Sequence, residues 1–190
     1  MIFLHLIIAH LLGDFVFQSN DLIHKKYKSW TGTLQHAGII ALCSTVALLP
    51  ILQHRMTWIV IGIIFAVHFT QDCLKISFDR RYNKRKSTIP FFVDQIFHTA
   101  LILFLSPLLS GLQPTTLPTM VMEIYSSQLA AVFVIGALLF SYVQDITVFQ
   151  FARKASKKNL DYKANIPGML KRLGLFTLFY GIFLILTGAL

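Results

Sequence analysis

The chain has 190 residues, 55% of them hydrophobic and only 13% charged, with a mean hydropathy of +0.66. A soluble domain carries about 25% charged residues, so this composition excludes an ordinary soluble domain and indicates a polytopic membrane protein. The net charge of +9 would suit nucleic acid on a soluble surface, but its placement between apolar runs points to membrane topology and to no nucleic-acid partner.

The length allows about six spans with short loops, a single transmembrane domain over residues 1–190. Cys43 and Cys73 fall inside apolar runs and read as packing residues rather than a disulfide. Met1-Ile-Phe-Leu-His5 has no positive region and no small-residue cleavage site follows, so the first helix is expected to stay in the mature protein.

The first predicted helix covers about 2–18 and contains His10-Leu-Leu-Gly-Asp14, with Gln18 one turn further on. A polar loop over 21–33 follows, with Lys25, Lys26 and Lys28. The second helix covers about 34–52 with His36 at its start, and His54 and Arg55 form a short turn. The third covers about 57–77 and ends in His68-Phe-Thr-Gln-Asp72-Cys-Leu-Lys75. A basic loop over 79–87 carries Arg80, Arg81, Lys84, Arg85 and Lys86. The fourth helix covers about 89–110, with Pro90 suited to its first turn and the reversed pair Asp94-Gln-Ile-Phe-His98.

Residues 111–122, with Gly111, Pro114, Pro118 and no charge, read as a loop. The fifth helix covers about 124–151 and contains Gln144-Asp145, which repeats the Gln71-Asp72 step. A basic loop over 153–172 is long enough for a short amphipathic helix. The sixth helix covers about 172–190, where Gly174, Gly181 and Gly188 recur every seven residues as a packing seam would. Each span approaches the roughly 20 residues that cross the hydrocarbon.

Fifteen of the 17 Lys and Arg residues fall in the first, third and fifth loops; the others are Arg55 and Lys75. Short loops rich in these residues stay in the cytoplasm. Those loops are therefore expected inside and both termini outside. In that topology His10, Asp14, His36, His68, Asp72, Lys75, Asp94, His98 and Asp145 come to a similar depth, near the cytoplasmic ends of five helices. The reversed order in the fourth helix is what an antiparallel neighbour needs to present the same pair. His5 lies off this layer, and His24 and His54 fall in loops.

Packing gives no reason for such a layer. A charged side chain at the bilayer centre costs about 2.5–3.5 kcal/mol, so four ionised aspartates would cost about 10 kcal/mol, comparable with a whole domain's stability. Pairing, protonation, water or a metal must offset it. Imidazoles and carboxylates suit zinc, manganese or iron, and an i, i+4 spacing on a helix can offer two ligands to one ion.

The expected metal ligands are His10, Asp14, His68, Asp72, Asp94 and His98, holding one or two divalent ions. Asp145, His36 and Lys75 are the expected catalytic groups, with His36 and Asp145 as further ligands or general base and Lys75 against an acid or an anionic substrate. Gln18, Gln71, Gln95 and Gln144 would orient ligands or bind substrate. Two ions could activate water and hold a phosphoryl oxygen, which gives a metal-dependent hydrolase acting on a lipid-like or phosphorylated substrate. The same groups could instead line a cation or proton transporter, form a structural polar network in a membrane subunit, or ligate haem.

His10-Leu-Leu-Gly-Asp-Phe-Val-Phe-Gln18, His36, His68-x-x-x-Asp72-x-x-Lys75 and Phe92-Val-Asp-Gln-Ile-Phe-His98 together resemble domain-of-unknown-function family 3307, a family of bacterial integral membrane proteins. The resemblance covers about residues 1–110. It implies a multi-pass protein of the bacterial inner membrane and supplies no activity. The motifs also resemble, loosely, membrane-bound metal-dependent hydrolases with His and Asp at helix ends.

Overall fold

The computed structural model describes residues 1–82, 88–115, 118–156 and 161–189, and every regular element among them is helical. In chain order these are α1 (Ile2–Leu11), running on through a π turn at Leu12–Val16, α2 (Asn20–Lys28), α3 (Trp30–Ala47), α4 (Arg55–Arg81) and α5 (Thr88–Leu105). The chain then continues into α6 (Thr119–Ser126), α7 (Gln128–Leu138), a second π turn at Leu139–Val143, α8 (Gln144–Ala155) and α9 (Ile166–Thr187).

Four stretches are long and apolar enough to cross a membrane: Arg55–Arg81, Thr88–Leu109, Gln128–Ala155 and Ile166–Thr187. A fifth arises if the bent pair Ile2–Val16 and Asn20–Lys28 is one broken span. This architecture is compatible with a membrane protein. The expected second span is the 18-residue α3, which falls outside this group because Gln35, His36 and small polar residues occupy its first half.

Several boundaries differ from the sequence expectation for local reasons. The expected polar loop at 21–33 is mostly helix. The Ser19 hydroxyl accepts from the Leu22 amide at 3.2 Å and caps α2, which leaves α1 at an angle of 86°. Leu22 and Lys26, four apart, are its buried face. The third helix extends beyond 77 and takes Asp79 with it, as a buried residue of α4. The segment 111–122 contains the start of α6, and Ser127, accepting from the Ala130 amide at 3.1 Å, caps a new helix within the expected fifth span. The sixth helix begins at Ile166, not 172, because Asn165 caps it and Pro167 fits its first turn.

The glycine seam does not form. Open space surrounds Gly174 and Gly181, and Gly188 ends the helix in the left-handed conformation at φ +66°. Of the expected basic loop at 153–172, residues 153–155 belong to α8 and 166–172 to α9, and the described residues between them, 156 and 161–165, are not helical. Lys84, Arg85, Lys86, Lys157 and Lys158 lie outside the described residues.

The helices that position the site are α1, α3, α4 and α5. Each carries one inward stripe with a spacing of three to four residues. On α1 and its π turn this is Leu6, His10, Asp14; on α3, His36, Ile40, Ser44, Leu48; on α4, Val60, Ile64, His68, Asp72, Ile76; and on α5, Asp94, His98, Ile102, Leu105. The stripes are in register: Leu6, Ile40, Leu48, Val60, Ile64, Ile102 and Leu105 form one apolar core. The ionisable members gather beyond it, at the end bearing α2, the last turn of α4 and the start of α5. By contrast α9 buries only Met169, and its exposed Leu178, Phe179, Phe183 and Leu186 form a surface suited to lipid.

Candidate metal centre

Three carboxylates and four imidazoles meet in this end of the bundle, all of them buried: Asp14, Asp72, Asp94, His10, His36, His68 and His98. Asp14 sits in the π turn, whose wider turn re-aims the side chain relative to a regular helix. Gly13 beside it lets α1 close against α3, since a Cβ there would run into Ile40.

Asp14 is held at both oxygens. His36 donates from Nε2 to its Oδ1 at 2.9 Å and accepts at Nδ1 from the Gln18 amide at 3.2 Å. Gln95 donates to its Oδ2 at 2.9 Å and accepts from His10 Nε2 at 3.1 Å. Gln18 and Gln95 thus orient the imidazoles and the carboxylate, as partners outside a ligand set do.

Lysines hold the other two acids. Lys26 Nζ lies 2.6 Å from Asp72 Oδ2, and Lys75 Nζ 2.8 Å from Asp94 Oδ2. These are charge-assisted contacts between ions withdrawn from water, and each relieves the cost of burying its partner. The described contacts place no lysine on Asp14.

Imidazole nitrogens of His68 and His98 remain unsatisfied. His68 is 2% exposed and its Nε2 has no hydrogen-bond partner. That atom stands 3.6 Å from Asp14 Oδ1 and 3.8 Å from Asp72 Oδ2, beyond hydrogen-bond range. His98 Nε2 lies 3.3 Å from Asp94 Oδ1, its Nδ1 has no hydrogen-bond partner, and its ring stacks on His68 with centroids 4.0 Å apart.

Such separations suit ligands around an ion, because tetrahedral bonds of about 2.0–2.1 Å put the ligand atoms about 3.3–3.4 Å apart. Three overlapping groups have ligand atoms within 4.8 Å of one another: His10, Asp14 and His68; His36, His68 and Asp72; Asp72, Asp94 and His98. These buried groups could hold a metal ion. At His10 the ring proton would have to move from Nε2 to Nδ1 to free that donor.

Six expected ligands and His36 therefore come together, with Lys75 against Asp94. Asp145 does not join them. Although buried, it accepts from Arg172 at 2.9 Å, the Tyr162 hydroxyl at 2.8 Å and the Asn165 amide at 3.1 Å. Its helix turns it toward α9, and this saturated site corrects the expectation that it serves the cluster. Burial and the bond to Asp145 push the Tyr162 phenol above its ordinary range. Gln144 is exposed on α8, and Gln71 is half-buried with a buried, unpartnered Oε1.

Lys26 is the participant that sequence reasoning missed, having placed it among solvated loop lysines. The available signal was a capped, amphipathic nine-residue stretch with Leu22 and Lys26 on one face. His5 is buried at the far side of the apolar core and stacks on Tyr125 with centroids 3.9 Å apart.

A cavity of about 110 Å³ opens onto the cluster. Asp14, Asp72, Asp94, Lys26, Lys75 and Gln95 line its floor, and Asp79, Arg153, Asp161 and Tyr162 are among its other walls. Its lining holds five acids and three bases, a formal excess of two negative charges with histidines neutral, which favours a cation. On the opposite side a much smaller cavity, of about 10 Å³, touches His10, His68 and His98 and is lined otherwise by Leu6, Ile40, Ser44, Ile64, Leu101 and Ile102.

Fold and site together define an all-helical protein with membrane-length apolar helices and a buried His/Asp centre. The chain belongs to the family described as "Protein of unknown function (DUF3307)", whose profile matches residues 2–127. That match includes every member of the cluster. No curated protein and no solved structure matches the chain.

Proposed function

We propose that the protein is a multi-pass protein of the bacterial inner membrane, with six spans and both termini outside. Its His10, Asp14, His68, Asp72, Asp94 and His98 centre holds divalent metal and hydrolyses a lipid-like or phosphorylated substrate from the cytoplasmic side. The observation that carries this reading is the buried, unpartnered His68 Nε2, facing Asp14 and Asp72 at 3.6 and 3.8 Å. An imidazole that gains no protein hydrogen bond on burial costs stability, and ligation would offset that cost.

The donor set of imidazole nitrogen and carboxylate oxygen suits zinc, manganese or iron. An ion held there supplies Lewis acidity, acidifying a water and polarising a phosphoryl or acyl oxygen. His36, 2.9 Å from Asp14, is placed to hold a proton at Nε2 beside that carboxylate. The lysines facing the cavity suit developing negative charge on a leaving group.

Topology is supported by the end at which the cavity opens, which carries α2 and the basic last turns of α4 and α8. Membrane lipids then flank the site, in keeping with a lipid-like substrate. The cavity on the far side is far smaller, about 10 Å³ against about 110 Å³, and mostly apolar apart from Ser44 and the histidines, which favours access from the larger one over a transport path.

The test is release of phosphate or alcohol from a panel of lipid phosphoesters by nanodisc-embedded protein. Turnover should require added metal and fall to background in Asp14→Asn. Metal-independent turnover, or full activity in that variant, would refute the assignment.

A further inference from the structure

We infer that the centre takes a single divalent ion, at His10, Asp14 and His68, and that the ammonium groups of Lys26 and Lys75 occupy the places a second ion would need. This deepens the metal reading above and rests on it.

The three candidate groups are not equivalent. His36, His68 and Asp72 share Asp72 Oδ2, which already meets Lys26 at 2.6 Å. Asp72, Asp94 and His98 include both lysine-held acids, with Lys75 at 2.8 Å from Asp94 Oδ2. Only the group of His10, Asp14 and His68 has a carboxylate whose described partners, His36 and Gln95, bring no fixed positive charge.

Charge arithmetic agrees. Asp14, Asp72 and Asp94 contribute three negative charges and the two lysines return two positive ones, a sum of −1. One divalent ion brings the centre to +1, and two would bring it to +3. An unpaired charge in a buried, low-dielectric site is costly, and the cost climbs steeply with its size.

The lysines are built in, not incidental. Lys26 comes from α2, which is folded back at 86° to α1. Gly32 keeps α3 flush against the backbone of Lys25 and Lys26, where a Cβ would collide. The Asn20 side chain pairs with the backbone of Tyr162, donating at 2.7 Å and accepting at 3.3 Å. Lys75 comes from α4, one turn beyond Asp72. Both ammonium groups face the same cavity as Asp14. An anionic phosphoryl group entering it would meet one metal and two fixed ammoniums, in place of the two metals of a dinuclear site.

The experiment is a metal titration of the full-length protein in detergent with zinc and, separately, manganese. Bound metal is read by elemental mass spectrometry and the manganese form by electron paramagnetic resonance. The wild type should saturate at about one ion per chain and give the spectrum of an isolated manganese ion. Asp14→Asn should lose the ion. The Lys26→Met, Lys75→Met double variant should take up a second ion.

Two ions per wild-type chain, or an exchange-coupled manganese spectrum, would overturn this inference and leave the metal centre standing. A folded double variant that stays at one ion would also overturn it. A wild type that binds no ion would remove both readings. The wild-type spectrum decides the matter even if the lysine variants fail to fold.

Discussion

Two buried sets of carboxylates in this molecule look alike in sequence and differ in what surrounds them. Asp145 on α8 follows a glutamine, as Asp72 on α4 does. Asp145 meets Arg172, Tyr162 and the Asn165 amide, all donors, and its charge is fully used in tying α8 to α9. Asp14, Asp72 and Asp94 meet four histidines, two of which keep nitrogens without partners. A saturated carboxylate holds structure, whereas a carboxylate beside unsatisfied imidazoles is set to receive a cation. The sites are also linked, because Tyr162, which binds Asp145, anchors Asn20 at the start of the helix that delivers Lys26.

The largest effect that would break this contrast is at Lys26. Lys26→Met leaves Asp72 buried and unpaired, and should cost about 3–5 kcal/mol of stability, measured by reversible unfolding in mixed micelles. Added zinc should restore part of it. A loss below about 1 kcal/mol would mean that the Lys26–Asp72 pair is not buried as described.

Gln95→Leu comes next. It frees the His10 ring and one oxygen of Asp14, and should weaken metal affinity about 10- to 100-fold in a competition titration with a chelating dye. Asp145→Asn should cost about 1–2 kcal/mol, as expected for losing a charged hydrogen-bond partner at a partly exposed pair, and should leave metal stoichiometry unchanged. Loss of metal in that variant would erase the distinction between the two sites.

Much of the centre was legible because ionisable residues inside apolar runs stand out, and because a spacing of four fixes a helical face. His10 with Asp14, His68 with Asp72 and Asp94 with His98 could all be read this way, as could their shared depth. Depth does not give azimuth. Asp145 was read into the cluster because its level was right, but its direction around the helix follows from how α7, the Leu139–Val143 π turn and α8 pack on α9. Lys26 was misread for a related reason: its burial depends on the chain doubling back after Ser19, a tertiary event that a nine-residue amphipathic stretch does not encode by itself. The heptad glycines of α9 suggested a seam, yet among the described residues no helix packs on Gly174 or Gly181.

The central claim, that imidazoles and Asp14 hold a metal, is tested most directly by X-ray absorption spectroscopy of the zinc-loaded protein. The account predicts nitrogen and oxygen neighbours at about 2.0–2.1 Å, with the outer-shell scattering of two imidazoles, and loss of one imidazole contribution in His68→Ala. Sulfur at about 2.3 Å, which would place the ion at Cys43 or Cys73, or a spectrum unchanged by His68→Ala, would contradict it.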